Sequence, residues 1–326
     1  MRRLSRDEAG ESIVLMYLCR RVAAVVPVVV IVAVLVFLML RLSPGDPAAV
    51  IAGNTASDAD IAQIRSELGL DRPIAAQFFI WAGRMATGNF GESFFYKKTV
   101  ASLILDRLEP TLALALATIL LATLISVPLG TWAAHRQGSW VDRIVMGFSV
   151  LGFSVPVFII GYLLIYVFSV RLGWFPVQGY QRLSDGFGGF IYRLILPSIT
   201  LSIVYIALLS RMTRTSVQEV LNEDYIRTAR AKGLSSAKVL VRHALRSAAV
   251  PIVTVIGVSI ALLIGGVVVT ESVFNIPGLG RLTVDAVLAR DYPTVQAVVL
   301  LFSLTYVAIN LAIDLIYMAL DPRIRY

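Results

Sequence analysis

Apolar residues in this chain gather into long runs, separated by short connectors that are polar and often basic. Residues 22–40 give 19 positions without a charge, 110–134 give 25, 144–170 give 27, 194–210 give 17, 247–270 give 24 and 292–313 give 22. A helix needs about 20 apolar residues to cross the hydrocarbon core of a bilayer. The shortest run extends past Arg193 through 190–192. The pattern therefore predicts six transmembrane helices and an all-α polytopic membrane fold. The first run is longer than the apolar core of a signal peptide and has no evident small-residue cleavage site, so it is expected to stay on the chain.

The long segment between the first two runs has helical patterning of its own. Ser57-Asp58-Ala59-Asp60 reads as an N-cap with an acidic first turn. Ile61, Ile64 and Leu68 follow at helical spacing, and Gly69 can close the helix. Pro73 can open a second helix at its first position, running through Phe78, Phe79 and Trp81. These small helices serve either as a structural cap on the outer face or as a docking surface for an extracytoplasmic partner. Within the runs, Pro27, Pro128, Ser154-Val155-Pro156, Pro197, Pro251 and Gly265-Gly266 mark places where a helix can kink.

One connector has more order than a solvated linker needs. In Asn222–Leu234, Asn222 can cap a helix, and Glu223 and Asp224 sit at its favourable start. Ala229 is small enough for a partner backbone to approach, and Gly233 can take the left-handed conformation that ends the helix. Ser235 then caps a second helix running through Arg242 into the next span. A helix of about ten residues is marginal alone in water, so this one is expected to be held by a partner.

Composition and charge agree with a membrane location. Hydrophobic residues make up 57% of the 326, charged residues only 15%, and mean hydropathy is +0.79. Soluble domains carry about 25% charged residues. The net charge of +8 sits in short loops without any nucleic-acid motif, which fits contact with anionic lipid heads. Arg20, Arg21, Arg136, Arg143, Arg211, Arg214, Arg227, Arg230, Lys232, Lys238, Arg242, Arg246, Arg323 and Arg325 fall on one side. The other short loops hold only Arg171, Arg182, Arg193, Arg281 and Arg290, and the long segment 41–107 nearly balances its charges. The positive-inside rule places both termini in the cytoplasm. Cys19 is the single cysteine, so no intrachain disulfide forms.

Candidate chemistry is sparse. Asp314, a turn after Asn310, and Glu271 lie near span ends, and each reads as a proton relay or, preferably, as an interfacial hydrogen-bonding group. No phosphate-cradling loop, H-E-x-x-H, C-x-x-C or G-x-S-x-G pattern occurs. His135 and His243 both fall in connectors, so no metal site and no cofactor are expected. An ATP-driven permease subunit, an ion-coupled secondary transporter or channel without an ATPase, and a membrane-bound enzyme are the competing classes. The missing catalytic constellation disfavours the last.

Specific motifs extend over nearly the whole chain. They are Tyr17-Leu18-Cys19-Arg20-Arg21, Leu42-Ser43-Pro44-Gly45-Asp46-Pro47, Leu68-Gly69-Leu70-Asp71-Arg72-Pro73 and Gly88-Asn89-Phe90-Gly91-Glu92-Ser93. After the 222–234 connector come Glu271-Ser272-Val273-Phe274-Asn275-Ile276-Pro277-Gly278-Leu279-Gly280-Arg281-Leu282, then Arg290-Asp291-Tyr292-Pro293 and Leu320-Asp321-Pro322-Arg323-Ile324-Arg325-Tyr326. With these the chain resembles the inner-membrane permease subunits of the dipeptide/oligopeptide ABC importers, a family that includes nickel, glutathione and opine transporters. The general permease signature is E-A-A, three residues, G, nine residues, then I-x-L-P. Gly233 and Ala229 match it, Arg227 and Thr228 replace its first two residues, and His243-Ala244-Leu245-Arg246 replaces its end. Met16-Tyr17 resembles the usual start, which leaves 1–15 as an extension or an upstream start codon.

The resemblance implies a type I ABC importer architecture. It divides the chain into residues 1–107, with the first span and the extracytoplasmic segment, a permease core at 108–320, and a tail at 321–326. It implies that Glu223, Asp224, Tyr225, Arg227, Ala229, Lys232, Gly233 and Leu234 form a coupling helix that enters a cleft on a cytoplasmic ATPase. It also implies two ATPase subunits, a second homologous permease forming a heterodimer, and an extracytoplasmic solute-binding protein. The implied location is a bacterial inner membrane, and the implied solute class is short peptides.

Overall fold

The computed structural model describes residues 23–39, 48–49, 57–67 and 69–320. The motifs at 17–21, 42–47 and 321–326, the first fifteen residues, Asn54 and Leu68 lie outside them. Regular structure among the described residues is helical, apart from one isolated antiparallel bridge between Glu92 and Thr99. The helices are α1 (Ala23–Met39), α2 (Asp58–Glu67), α3 (Ile74–Ala86), α4 (Val100–His135), α5 (Trp140–Ser154) and α6 (Val157–Leu164, continued by a π turn at Ile165–Arg171). Next come α7 (Phe187–Leu221), α8 (Asp224–Ala231), α9 (Ser236–Lys238, continued by a π turn at Val239–Leu245), α10 (Ala249–Val273), α11 (Leu279–Leu288) and α12 (Tyr292–Leu320). The chain forms two compact units, Met1–Ile104 with Asp285–Leu311, and Leu105–Val284 with Ala312–Tyr326.

Four helices, α4, α7, α10 and α12, are each long and apolar enough to cross a membrane. The 27-residue run at 144–170 breaks at Ser154-Val155-Pro156, one of the places where a kink was expected. It is the pair α5 and α6, bent by 102°. The break follows from Pro156, which has no amide to donate. Its ring also drives the preceding residue out of the helical region, and Val155 sits at φ −90°, ψ 124°. Pro110, Pro128 and Pro197 stay inside continuous helices. The bent pair makes a fifth crossing at most, while α1 covers 17 described residues, fewer than a full span. The expected count of six is thus not reached among the described residues.

The first unit is built on aromatic contacts. Phe37 on α1 meets Phe78 edge-on at 5.2 Å and Trp81 at 5.6 Å, both on α3. Gln296 Nε2 on α12 donates to the Val36 carbonyl at 3.0 Å. Gly69 closes α2 at φ +67°, and Pro73 stands at the N-cap of α3, one place earlier than its expected first position.

The second unit packs α7 through a core that includes Leu114, Leu201, Leu209, Leu263 and Phe274. At 35 residues α7 is about 50 Å long, against ~30 Å of hydrocarbon. Its last turns therefore project beyond the apolar layer and carry the connector to α8. On the far side, Tyr180 donates to Glu109 at 3.2 Å, and Glu109 also accepts from the Leu183 amide at 2.9 Å. Burial, together with the Glu109 charge, holds the Tyr180 hydroxyl well above the ordinary tyrosine range.

Candidate functional site

The connector at 222–234 folds into α8, with caps that differ from the expectation. Asn222 is the C-cap of α7 rather than the start of α8. Glu223 takes the N-cap position at φ −69°, ψ 148° without a side-chain cap bond, leaving Asp224 in the first turn. Ser235 stands at the N-cap of α9, again with no side-chain bond.

What holds α8 is its own chain. Ile226 (0% exposed) and Ala229 (8%) are buried in a second core cluster with Ala134 of α4, Val217 of α7, Val239 and Ala244 of the α9 segment, and Ile252 of α10. Ala229 therefore faces inward, and its small side chain serves close packing within the chain, not the approach of a partner backbone. Ile226 was missed by motif reading. It is the sole aliphatic residue between Asn222 and Gly233 apart from the alanines, and its i, i+3 spacing to Ala229 marks the buried stripe.

Side-chain and backbone bonds complete the anchoring. Tyr225 donates to Ser247 Oγ at 2.9 Å, joining α8 to the approach to α10. Arg227 pairs with Asp224 at 3.3 Å, an exposed i, i+3 contact of the kind that adds little stability. Lys232 is the C-cap. Gly233 lies at φ +79°. Its amide donates to the Arg230 carbonyl at 3.0 Å, and the Leu234 amide reaches the Ala229 carbonyl at 3.3 Å. This pair of bonds is the Schellman closure, accompanied by its usual apolar contact, since half-buried Leu234 joins the cluster that holds Ala229. Glu223, Asp224, Tyr225, Arg227, Lys232 and Gly233 are left exposed. The result is a fixed helix presenting a polar, mixed-charge face at the joint between two spans.

A partly buried ion pair braces the same end of the unit. Arg214 on α7 makes a two-pronged contact with Asp142 on α5, through Nε to Oδ1 and through Nη2 to Oδ2 at 2.8 Å. Asp142 Oδ2 also accepts from the Gly138 amide at 2.9 Å, and Ser139 Oγ caps α5 by accepting from the Asp142 amide at 3.5 Å. The α4–α5 turn is thereby tied to α7 about two turns before that helix ends. The pair spans 72 positions in the chain, so no local pattern announces it. The available hint was that Asp142 is the lone acidic residue between Glu109 and Asp185.

Two acidic residues weighed from sequence now have places. Glu271, near the end of α10, is wholly buried (0% exposed) and hydrogen-bonded. Asp314 lies half-buried on α12, a turn beyond Asn310, whose Nδ2 donates to the Tyr306 carbonyl at 2.9 Å.

Comparison with known proteins adds independent observations. Residues 126–326 match the family described as the binding-protein-dependent transport system inner membrane component, and residues 14–115 match its N-terminal counterpart. A probable peptide ABC transporter permease protein of Sinorhizobium fredii is 52% identical over 310 residues, covering 95% of this chain and 99% of that one. The glutathione transport system permease protein GsiC of Salmonella typhimurium is 45% identical over 310 residues, with the same coverage. A putative peptide transport system permease protein of Brucella abortus is 45% identical over 307 residues, covering 94% of this chain and 98% of that one. Among solved structures, the MetNI methionine ABC transporter in an inward-facing conformation is similar in fold. Its matching chain has a TM-score of 0.56 at 19% identity, over 67% of this chain and 96% of that one.

Proposed function

The chain belongs to the inner membrane components of binding-protein-dependent transport systems, and from that premise we propose that it moves short peptides or closely related solutes into the cell, driven by ATP hydrolysis on separate subunits. The relatives named for peptide and glutathione transport support this solute class. In this reading two cytoplasmic ATPases, a second homologous permease and an extracytoplasmic binding protein complete the machine. Both termini lie in the cytoplasm, and the run at 22–40 supplies the sixth crossing. Residues 1–107 form the entry segment, 108–320 the core and 321–326 the tail. The binding protein does most of the solute selection, because no span presents clustered charge able to pair with both ends of a zwitterionic peptide.

The observation that carries the proposal is the division of α8 into two faces. Eight residues have no stability of their own in water. Here Ile226 and Ala229 fix them to the unit's core, leaving Tyr225, Arg227 and Lys232 outward. Such a helix transmits force between a soluble partner and the spans it joins. Purification of the tagged chain from native membranes tests this. It should retain the ATPase, and reversing Arg227, Arg230 and Lys232 together to Glu should release it while the permease pair stays assembled. Unchanged retention by the triple variant defeats the assignment of this face.

A further inference from the structure

The far end of α10 carries a carboxylate that the coupling argument does not use. Thr111 Oγ1 on α4 donates to Glu271 Oε1 at 2.6 Å, and the Arg281 amide donates to Oε2 at 2.9 Å. The same Thr111 hydroxyl accepts from the Leu279 amide at 2.8 Å. Leu279 and Arg281 are the first and third residues of α11, whose leading amides have no partner within the helix. Side chains from two other helices thus close the start of α11, and the carboxylate sits where the helix dipole favours it. Glycine makes the approach possible. A Cβ at Gly278 would lie 2.1–2.4 Å from the Glu271 carboxylate, and one at Gly280 would lie 3.0 Å from Oε2 and 2.6 Å from the Val268 Cα. The intervening segment is tied on another side, where the Gly179 amide donates to the Phe274 carbonyl at 2.9 Å.

An ionisable group at a span end is costly to bury and is a functional candidate by default. A well-packed apolar residue would fill the place without that cost, but it would not fix the direction of α11. α10 has 25 residues and is about 37 Å long. Its first turns share a core with α8 through Ile252 and Ile226, and its last turn holds α11 through Glu271. We infer that Glu271 is a positioning residue for transport: with Thr111 it clasps the start of α11 to α4 and α10, so that movement of α8 at one end of α10 reaches α11 at the other. This rests on α8 being the ATPase-facing helix.

The test uses the whole complex in lipid nanodiscs, with both permeases, the ATPases, and the binding protein carrying the solute it co-purifies with. ATP hydrolysis is measured with and without binding protein for Glu271→Gln, Thr111→Val and Thr111→Ser. Glu271→Gln keeps one acceptor and replaces the other by a donor, so it cannot accept from both the Thr111 hydroxyl and the Arg281 amide as the two carboxylate oxygens do, and Thr111→Val removes the hydroxyl at nearly constant volume. Both should keep basal hydrolysis within about twofold and lose binding-protein stimulation at least about tenfold, as unpaired buried groups dictate. Thr111→Ser keeps the hydroxyl and should retain stimulation. Where Glu271→Gln fails to assemble, Thr111→Val decides. Normal stimulation in Thr111→Val or in an assembled Glu271→Gln overturns the inference, as does a fall in Thr111→Ser equal to that in Thr111→Val. Failure of the α8 reading is distinguishable, because stimulation would then persist in Gly233→Val with an intact clasp.

Discussion

Gly233 offers a perturbation whose cost is purely conformational. Its φ is +79°, and no atom lies within 4 Å of the place a Cβ would occupy. A side chain there meets no clash, so packing does not enter the sum. The left-handed backbone costs an L-residue roughly 1–2 kcal/mol, and a β-branched residue pays more. Each 1.4 kcal/mol is a factor of ten, so Gly233→Val should shift the α8 end toward an opened state by more than about tenfold. Opening breaks the closure bonds to the Arg230 and Ala229 carbonyls and withdraws Leu234 from the core. Asn tolerates the left-handed region, so the expected order of transport is wild type, then Asn, then Ala, then Val. The assay is uptake of a radiolabelled dipeptide by cells lacking the chromosomal copy, normalised to membrane-inserted protein. Uptake by Gly233→Val at the wild-type rate refutes the reasoning. Equal loss in Gly233→Asn and Gly233→Val at matched protein levels also refutes it, since backbone conformation would then not be the cause.

Two further outcomes are expected. Arg214→Gln leaves the buried Asp142 carboxylate without its partner, a change that costs about 3–5 kcal/mol, and Asp142→Asn leaves the partly buried Arg214 unpaired at a smaller cost. Either single variant should lower the thermal stability of the detergent-solubilised protein, Arg214→Gln the more sharply, and the double variant should lose less than the two losses added. Full additivity in that cycle would show the pair is not coupled. In a Cys19→Ser background, an impermeant thiol reagent should label Ser184→Cys in intact cells and reach Ser235→Cys only after permeabilisation. Labelling of Ser235→Cys in intact cells contradicts the orientation read from the arginine and lysine distribution.

Much of the architecture was legible because its physics is local. Apolar runs at 110–134, 194–210, 247–270 and 292–313 became α4, α7, α10 and α12, since length and hydropathy suffice to demand a helix in lipid. The left-handed glycine at 233 was legible too, because the requirement belongs to a single residue following a short helix. The run at 144–170 became a bent pair, whose break at Ser154-Val155-Pro156 was legible and whose angle was not. Composition records the apolar character of both halves, but only the geometry at Val155 and Pro156 reveals the 102° bend. Ala229 was read as an open face and is a buried one, because which side of α8 faces inward depends on where α7, α9 and α10 stand.

The sequence by itself determined a helical membrane protein with one ordered helix between two spans, and its motifs carried the resemblance to the permeases. Hydrophobicity, charge asymmetry and turn residues act over a few positions and leave their mark in order along the chain. Only the tertiary structure decided that Arg214 meets Asp142 across 72 positions, and that Glu271 and Thr111, 160 apart, close the start of α11. Such contacts depend on how long helices pack side by side, and a period of 3.6 residues carries no record of which neighbour each face will meet.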